Sequence, residues 1–325
     1  MKKLFTLLAT LLVLCVLIAV ACGFWSLHEI SKPGDLAEAK EFLVPPGTTG
    51  YTIGQKLVNE NIIEQPLLFY FLLRAQSSQV KAGEYEIPAQ SSLKDVFEII
   101  RGGQTIQRNF TLAEGLTVKQ TIALLKDNQY LGGDVTVKPD EGSLLPDTYN
   151  FIRNDTRDSV LKKMQEADKK YLDEAWPKRD PAVPLKSISE AVTLASVVEK
   201  ETGIPAERAR IAGLFYNRLK INMPLQSDPT VVYVITNHLG SMEGKPLFGK
   251  DLAVDSPFNT YKNPGLPPSP IANPGRASIE AVLHPETNDY LYFVANGTGG
   301  HVFAKDLKEH NKNVMAWRKI KKEEN

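Results

Sequence analysis

The sequence predicts an α+β chain: an N-terminal transmembrane helix, one or two small modules, and a larger mixed α+β domain. Three observations carry that expectation. An apolar run from Leu4 to about Trp25 follows Lys2 and Lys3, close to the roughly 20 residues a helix needs to cross a hydrocarbon core. Helical-period and alternating apolar stretches are interleaved through the rest of the chain. The last part is dense in Pro, Gly and Asn, which shape extended loops and cannot continue a helix. A length of 325 residues accommodates two or three units beyond the first segment. The expected divisions are an anchor over 1–25, small modules over 40–104 and 105–154, and the large domain over 155–325.

The flanking lysines of the first segment belong on the cytoplasmic side, which exports the remaining chain, with Phe24 and Trp25 at the interface. A cleaved signal peptide has the same ingredients, but the length of the apolar run favours a retained, single-pass anchor. Lys and Arg number 38, as do Asp and Glu, so no global field favours nucleic acid and any partner is recognised locally. Cys15 and Cys22 both lie in the apolar run, which excludes a disulfide framework and a thiol nucleophile from the exported part. His28, His238, His284, His301 and His310 form no close ligand pair, so no metal and no cofactor is expected.

After Val44-Pro45-Pro46-Gly47, Ile53, Leu57, Ile62 and Ile63 keep a helical period. A second helix is expected near Gln65–Arg74, then a strand at Gly83–Ile87. Ser92 and Asp95 form a capping box with an acidic partner, opening a helix with Val96, Ile99 and Ile100 on one face. Gly47-x-Thr49 with Leu57 is matched by Gly115-x-Thr117 with Leu125, a weak internal repeat that fits two readings, spacer modules or LysM-like glycan-binding modules. Residues 155–175 read as a charged helix ending near Trp176-Pro177. Tyr290 to Val294 alternates before Asn296-Gly297 and pairs with His301-Val302-Phe303 as a hairpin, with a last helix over about 306–321.

Ser187-Ile188-Ser189-Glu190 has the form of a capping box, and Ala191, Leu194, Ala195 and Val198 continue one apolar face. At about 100° per residue Glu199 projects between Ile188 and Val192, inside the apolar arc, while Lys200 points away and Glu201 lies near its edge. A carboxyl group in that position must be protonated or paired, and a protonated carboxyl is what a glycosidic leaving oxygen requires.

The segment Leu194-Ala195-Ser196-Val197-Val198-Glu199-Lys200-Glu201-Thr202 resembles the signature of the YceG-like endolytic murein transglycosylase family. Similar blocks follow in order: Phe215-Tyr216-Asn217-Arg218-Leu219, Leu225-Gln226-Ser227-Asp228-Pro229, Phe258-Asn259-Thr260-Tyr261, Gly265-Leu266-Pro267-Pro268, Ile271-Ala272-Asn273-Pro274-Gly275 and Tyr292-Phe293-Val294-Ala295. Upstream, Glu141-Gly142 and Leu145-Pro146-Asp147-Thr148-Tyr149 resemble another block. The resemblance implies a bacterial inner-membrane anchor, a LysM-like subdomain, and a periplasmic-side catalytic domain whose acid is the first Glu of Glu-Lys-Glu, here Glu199. The implied substrate is peptidoglycan glycan, cut inside a strand between N-acetylmuramic acid and N-acetylglucosamine, and peptidoglycan synthases are the implied partners.

Gln226, Asn259 and Tyr261 are candidates for binding the sugar, because amides and phenols hydrogen-bond hydroxyl and N-acetyl groups. Gln226 and Asn259 equally suit a loop-holding role. Asp228 before Pro229 reads as a turn residue or as a second acid, and Glu141 and Asp147 as turn or domain-bridging residues. A muramidase-type hydrolase would need that second carboxylate, from Asp228 or Glu201, and a tethered wall-binding protein would need no acid at all.

Overall fold

The computed structural model describes residues 2–77, 79–238 and 247–323; the side chain of His238 lies outside them. The chain forms two compact units: residues 1–108 with 151–154, and residues 109–150 with 155–325. The segment 109–150 thus belongs to the same unit as Glu199.

In the first unit, helix α1 (Lys2–Ser31) runs six residues beyond Trp25 and is long and apolar enough to cross a membrane. Strand β1 (Lys40–Val44) pairs antiparallel with β2 (Gly83–Ile87), Phe42 opposite Tyr85. Between them lie α2 (Gly50–Asn59) and α3 (Pro66–Ala75), and α4 (Leu93–Gly102) follows. Phe42, Ile53, Leu57, Phe69, Tyr85, Val96, Phe97 and Ile100 are all but inaccessible and form one core. The capping box at α4 is present: Ser92 Oγ accepts from the Asp95 N–H, and Asp95 accepts from the Ser92 N–H at 2.9 Å. Strand β1 was not legible, since Lys40-Glu41-Phe42-Leu43-Val44 buries only Phe42 and Val44. Glu84, 1% exposed, is compensated by Arg108, whose Nε and Nη2 donate to it at 2.9 and 2.7 Å, and by Arg153. A buried carboxylate persists only with such pairing.

Strands β3 (Arg108–Thr111) and β4 (Thr148–Phe151) form a two-stranded sheet, and the division between the units falls within them. In the second unit α5 (Val118–Asp127) lies between these strands in sequence. The sequence repeat is visible as matching caps: Thr49 and Thr117 each accept from the N–H three residues on, Gly47 and Gly115 have φ of 75° and 74°, and Leu57 and Leu125 are fully buried. Gly, lacking a Cβ, enters that left-handed region most readily.

The remaining helices are α6 (Arg157–Ala175), α7 (Ile188–Glu201), α8 (Pro205–Lys220), α9 (Asp228–Tyr233) and α10 (Arg276–Leu283), then the hairpin β5 (Tyr292–Ala295) and β6 (His301–Ala304) and the last helix α11 (Leu307–Glu323). Residues 191–198 of α7 are buried on every side, because α8 and α10 both pack on it and Leu194, Val198, Ile211, Phe215, Ile279 and Val282 share one core. A helix enclosed all round needs apolar residues or satisfied hydroxyls all round, and Thr193 and Ser196 donate to the Ser189 and Thr193 carbonyls. Its start departs from a full capping box: Ser187 Oγ accepts from the Glu190 N–H, but the Glu190 carboxylate reaches the Lys186 N–H, one residue early, at 2.7 Å.

Candidate active site

Helix α7 ends at the site. Glu199 lies in its last turn with its side chain 6% exposed. Two groups hold its carboxyl oxygens: the Gly275 N–H donates to Oε2 at 3.0 Å, and Arg208 Nη2, from α8, stands 3.4 Å from Oε1. The predicted inward projection is therefore what the structure shows, and the burial is matched by pairing.

Gly275 is presented by the chain leading into α10. Ser196 Oγ accepts from the Ile271 N–H at 3.0 Å. Asn273, fully buried, accepts from the Leu144 N–H through Oδ1 and donates through Nδ2 to the Leu116 carbonyl at 2.8 Å. Its backbone exchanges bonds with the same loop, the Gly115 N–H donating to the Asn273 carbonyl and the Asn273 N–H to the Leu116 carbonyl, each at 2.9 Å. Lys200 then donates to the Gly115 carbonyl at 3.1 Å. The loop after β3 is thus stitched to both residues 271–275 and the end of α7.

That loop carries Glu114, whose Oε2 stands 3.4 Å from the same Arg208 Nη2. The oxygens of Glu114 and Glu199 nearest Arg208 are accordingly separated by no more than twice that distance. Glu114 side-chain exposure is 45%, so it faces the open side of the pair. Sequence reasoning passed over Glu114. The available signal was the repeat itself, which has Pro46 before Gly47 but Glu114 before Gly115.

Gln226, Asn259 and Tyr261 come together with one another through two interlocked loops. The Gln226 N–H donates to the Thr260 carbonyl at 3.1 Å, and the Ser227 N–H to Thr260 Oγ1 at 3.0 Å. Gln226 is exposed, with φ at 48°. Asn259 is fully buried; its Nδ2 donates to the Leu252 and Val254 carbonyls and its Oδ1 accepts from the Tyr261 N–H, so its side chain holds the loop. The Tyr261 hydroxyl donates to Asp228 at 2.5 Å, and burial, with that bond, raises the phenol above its ordinary range. Among the described residues no hydrogen bond joins these three to Glu199.

Glu201 belongs to this second group. Burial, with the nearby charge of Asp228, pushes its carboxyl up to about 7 against the pull of Ser227 and Arg218. Glu141 is likewise pushed up to about 7 by burial, although the Val118 N–H at 2.8 Å and Tyr233 bond to it. Asp147 pairs with Arg276 at 2.9 Å inside the same unit. Among the described residues, no group of three His, Cys, Asp or Glu side chains is arranged to hold a metal ion.

A profile of the YceG-like family matches residues 42–316. This chain belongs to the YceG-like family. The match begins within β1 and ends within α11, so the α7 acid and both of its clamps lie inside the family region. A Bacillus subtilis (strain 168) protein named endolytic murein transglycosylase is 36% identical over 302 residues, 83% of this chain and 82% of that one. A protein of the same name from Streptococcus pneumoniae serotype 2 is 29% identical over 86% of this chain and 59% of its own length. Among solved structures, a YceG-like protein from Listeria monocytogenes superposes with a TM-score of 0.52 at 32% identity, covering 85% of this chain and 98% of that one. The mixed α+β architecture is thus shared with an experimentally determined family member.

Proposed function

We propose that this YceG-like protein is an endolytic lytic transglycosylase of peptidoglycan, with Glu199 as its acid and base. The observation that carries the reading is the Glu199 carboxyl group, nearly enclosed at the end of a buried helix, with the Gly275 N–H on one oxygen and Arg208, shared with Glu114, facing the other. The family match and the names of its relatives support the substrate class.

A hydrolase places one carboxylate on each side of the scissile bond so that the second can act as nucleophile or activate water. A lytic transglycosylase needs one group. Glu199 donates its proton to the glycosidic oxygen as the C1–O bond of N-acetylmuramic acid breaks. The resulting carboxylate takes the proton from the C6 hydroxyl of the same sugar, and O6 closes on C1. The acid is regenerated, no water is consumed, and the product ends in a 1,6-anhydro ring. Gln226 and Tyr261 are proposed to contact the sugar; Asn259 serves it through the loop it holds.

Helix α1 is proposed as a single-pass anchor in a bacterial inner membrane, with the rest of the chain outside. The strand, two helices and strand of the first unit support a LysM-like reading, and peptidoglycan synthases are the proposed partners, consistent with strand termination during wall assembly.

The test is digestion of purified peptidoglycan by the wild type beside Glu199→Gln, with glycan ends identified by mass spectrometry. The expected result is 1,6-anhydro ends from the wild type and none from the amide. Ordinary reducing ends, or an active amide variant, would overturn the mechanism or the residue.

A further inference from the structure

Resting on that reading, we infer that Glu114 is a positioning residue: it draws Arg208 away from Glu199 and so keeps the acid from being locked into a tight ion pair. The geometry starts from the carboxyl oxygens. Oε2 accepts the Gly275 N–H at 3.0 Å, so Oε1, with only the long contact to Arg208, is the oxygen left to carry a transferable proton. Oε1 is the oxygen Arg208 faces.

A guanidinium closing on a carboxylate normally settles at about 2.7–2.9 Å. Here the same Nη2 stands 3.4 Å from Glu199 and 3.4 Å from Glu114, so the cation is shared and tight with neither. Arg208 is otherwise uncommitted, since its Nε is buried without a partner among the described residues. Among the described residues Glu114 is the other carboxylate that this guanidinium faces.

Glu114 is placed for this task by backbone, not by chance contact. Gly115, at φ 74°, turns the chain, and its N–H and carbonyl are bound by Asn273 and Lys200. Gly275 leaves the room, because a Cβ there would lie 1.9 Å from Glu114 Oε1. One glycine therefore supplies both the N–H for Glu199 and the space for Glu114. With the charge at 114 removed, Arg208 has one carboxylate left and closes on it, holding Glu199 in the form that accepts a proton but cannot donate one.

The full chain in detergent micelles is assayed on purified glycan strands over a range of concentrations, reading 1,6-anhydro ends, for wild type, Glu114→Asp, Glu114→Gln and Glu114→Gln/Arg208→Gln. Glu114→Gln is expected to lower kcat at least about tenfold with KM within about twofold, against the ~10²–10⁴-fold that general acid catalysis supplies. Glu114→Asp retains most of the rate, and adding Arg208→Gln to Glu114→Gln restores part of it. A residue that merely supports the fold would give additive losses. Unchanged kcat in Glu114→Gln, a loss confined to KM, or a double variant that is folded by thermal melting yet slower than Glu114→Gln would each overturn the inference. Should the double variant fail to fold, the contrast between Asp and Gln at 114 decides: equal losses in kcat overturn it. If the wild type itself releases no 1,6-anhydro ends, it is the transglycosylase reading that fails.

Discussion

Asp168 offers a direct measure of what burial costs in the second unit. It lies on α6 in line with Met164 and Leu172, and only 7% of its surface is exposed. Burial pushes its carboxyl from 3.8 up to about 7. The folded chain then keeps on Asp168 a proton that the unfolded chain releases, so this residue destabilises the fold least below about pH 4 and increasingly as pH rises towards 7. At 1.36 kcal/mol per unit of pKa, the full cost above pH 7 is on the order of 4 kcal/mol. Asp168→Asn keeps the shape and cannot ionise. It is expected to match the wild type near pH 4 and to exceed it at pH 8 by several kcal/mol, with that limit as its ceiling. Urea unfolding followed by Trp176 fluorescence, with Trp25 and Trp317 replaced by Phe in both proteins, is the assay, because Trp176 packs on the core of this unit next to the end of α6. Equal stabilities at pH 8, or a variant weaker at both values, would show that Asp168 is stabilised by its surroundings and refute the reasoning.

Gly275→Ala separates function from stability at the site. With φ at −74° and ψ at 165° the backbone accepts alanine, and the colliding atoms are Oε1, Cδ and Cγ of the half-exposed Glu114 side chain, which can swing towards solvent, so the melting point should move by less than about 3 °C while the rate of 1,6-anhydro formation falls as in Glu114→Gln. In the first unit Glu84→Gln should cost about 1–3 kcal/mol by denaturant unfolding, since it removes the buried carboxylate that Arg108 and Arg153 share, while Arg108 keeps Glu41 at 3.1 Å. Burial raises the Glu84 carboxyl, but the bonds from Arg153 and Arg108 outweigh it and leave it below the ordinary glutamate range. Its contribution is therefore present at neutral pH and is lost on acidification below about 4.5, opposite in sign to Asp168.

What the sequence carried, and what it did not, follows from the range of the interactions. Local signals were legible: Ser92 with Asp95, the strand Gly83–Ile87, and the hairpin from Tyr292 to Ala304 are fixed by neighbours a few residues away. Glu199 was legible as an inward acid because a helix converts spacing into direction. Its environment was not, for Glu114, Arg208 and Gly275 approach from three separate segments, and nothing in the spacing of residues 114, 199, 208 and 275 encodes that meeting. Asn259 shows the complementary difficulty: an amide suited to a sugar is equally suited to three backbone groups of its own loop, and burial alone separates the two.

The same reasoning explains why the acid needs a neighbour so distant in sequence. A carboxyl group enclosed at the end of α7 has two ways of being accommodated, protonation and pairing, and a catalyst that donates and then accepts one proton must reach both within a turnover. Pairing by Arg208 alone would favour one of them. A second carboxylate on the same guanidinium makes the cation available to Glu199 after the proton has left without fixing it there beforehand, and Arg208 Nη2 stands where that balance can be struck, 3.4 Å from each carboxylate. On this argument the glycine at 275 is as tightly constrained as the acid, because any side chain there removes the counterweight while leaving the acid in place.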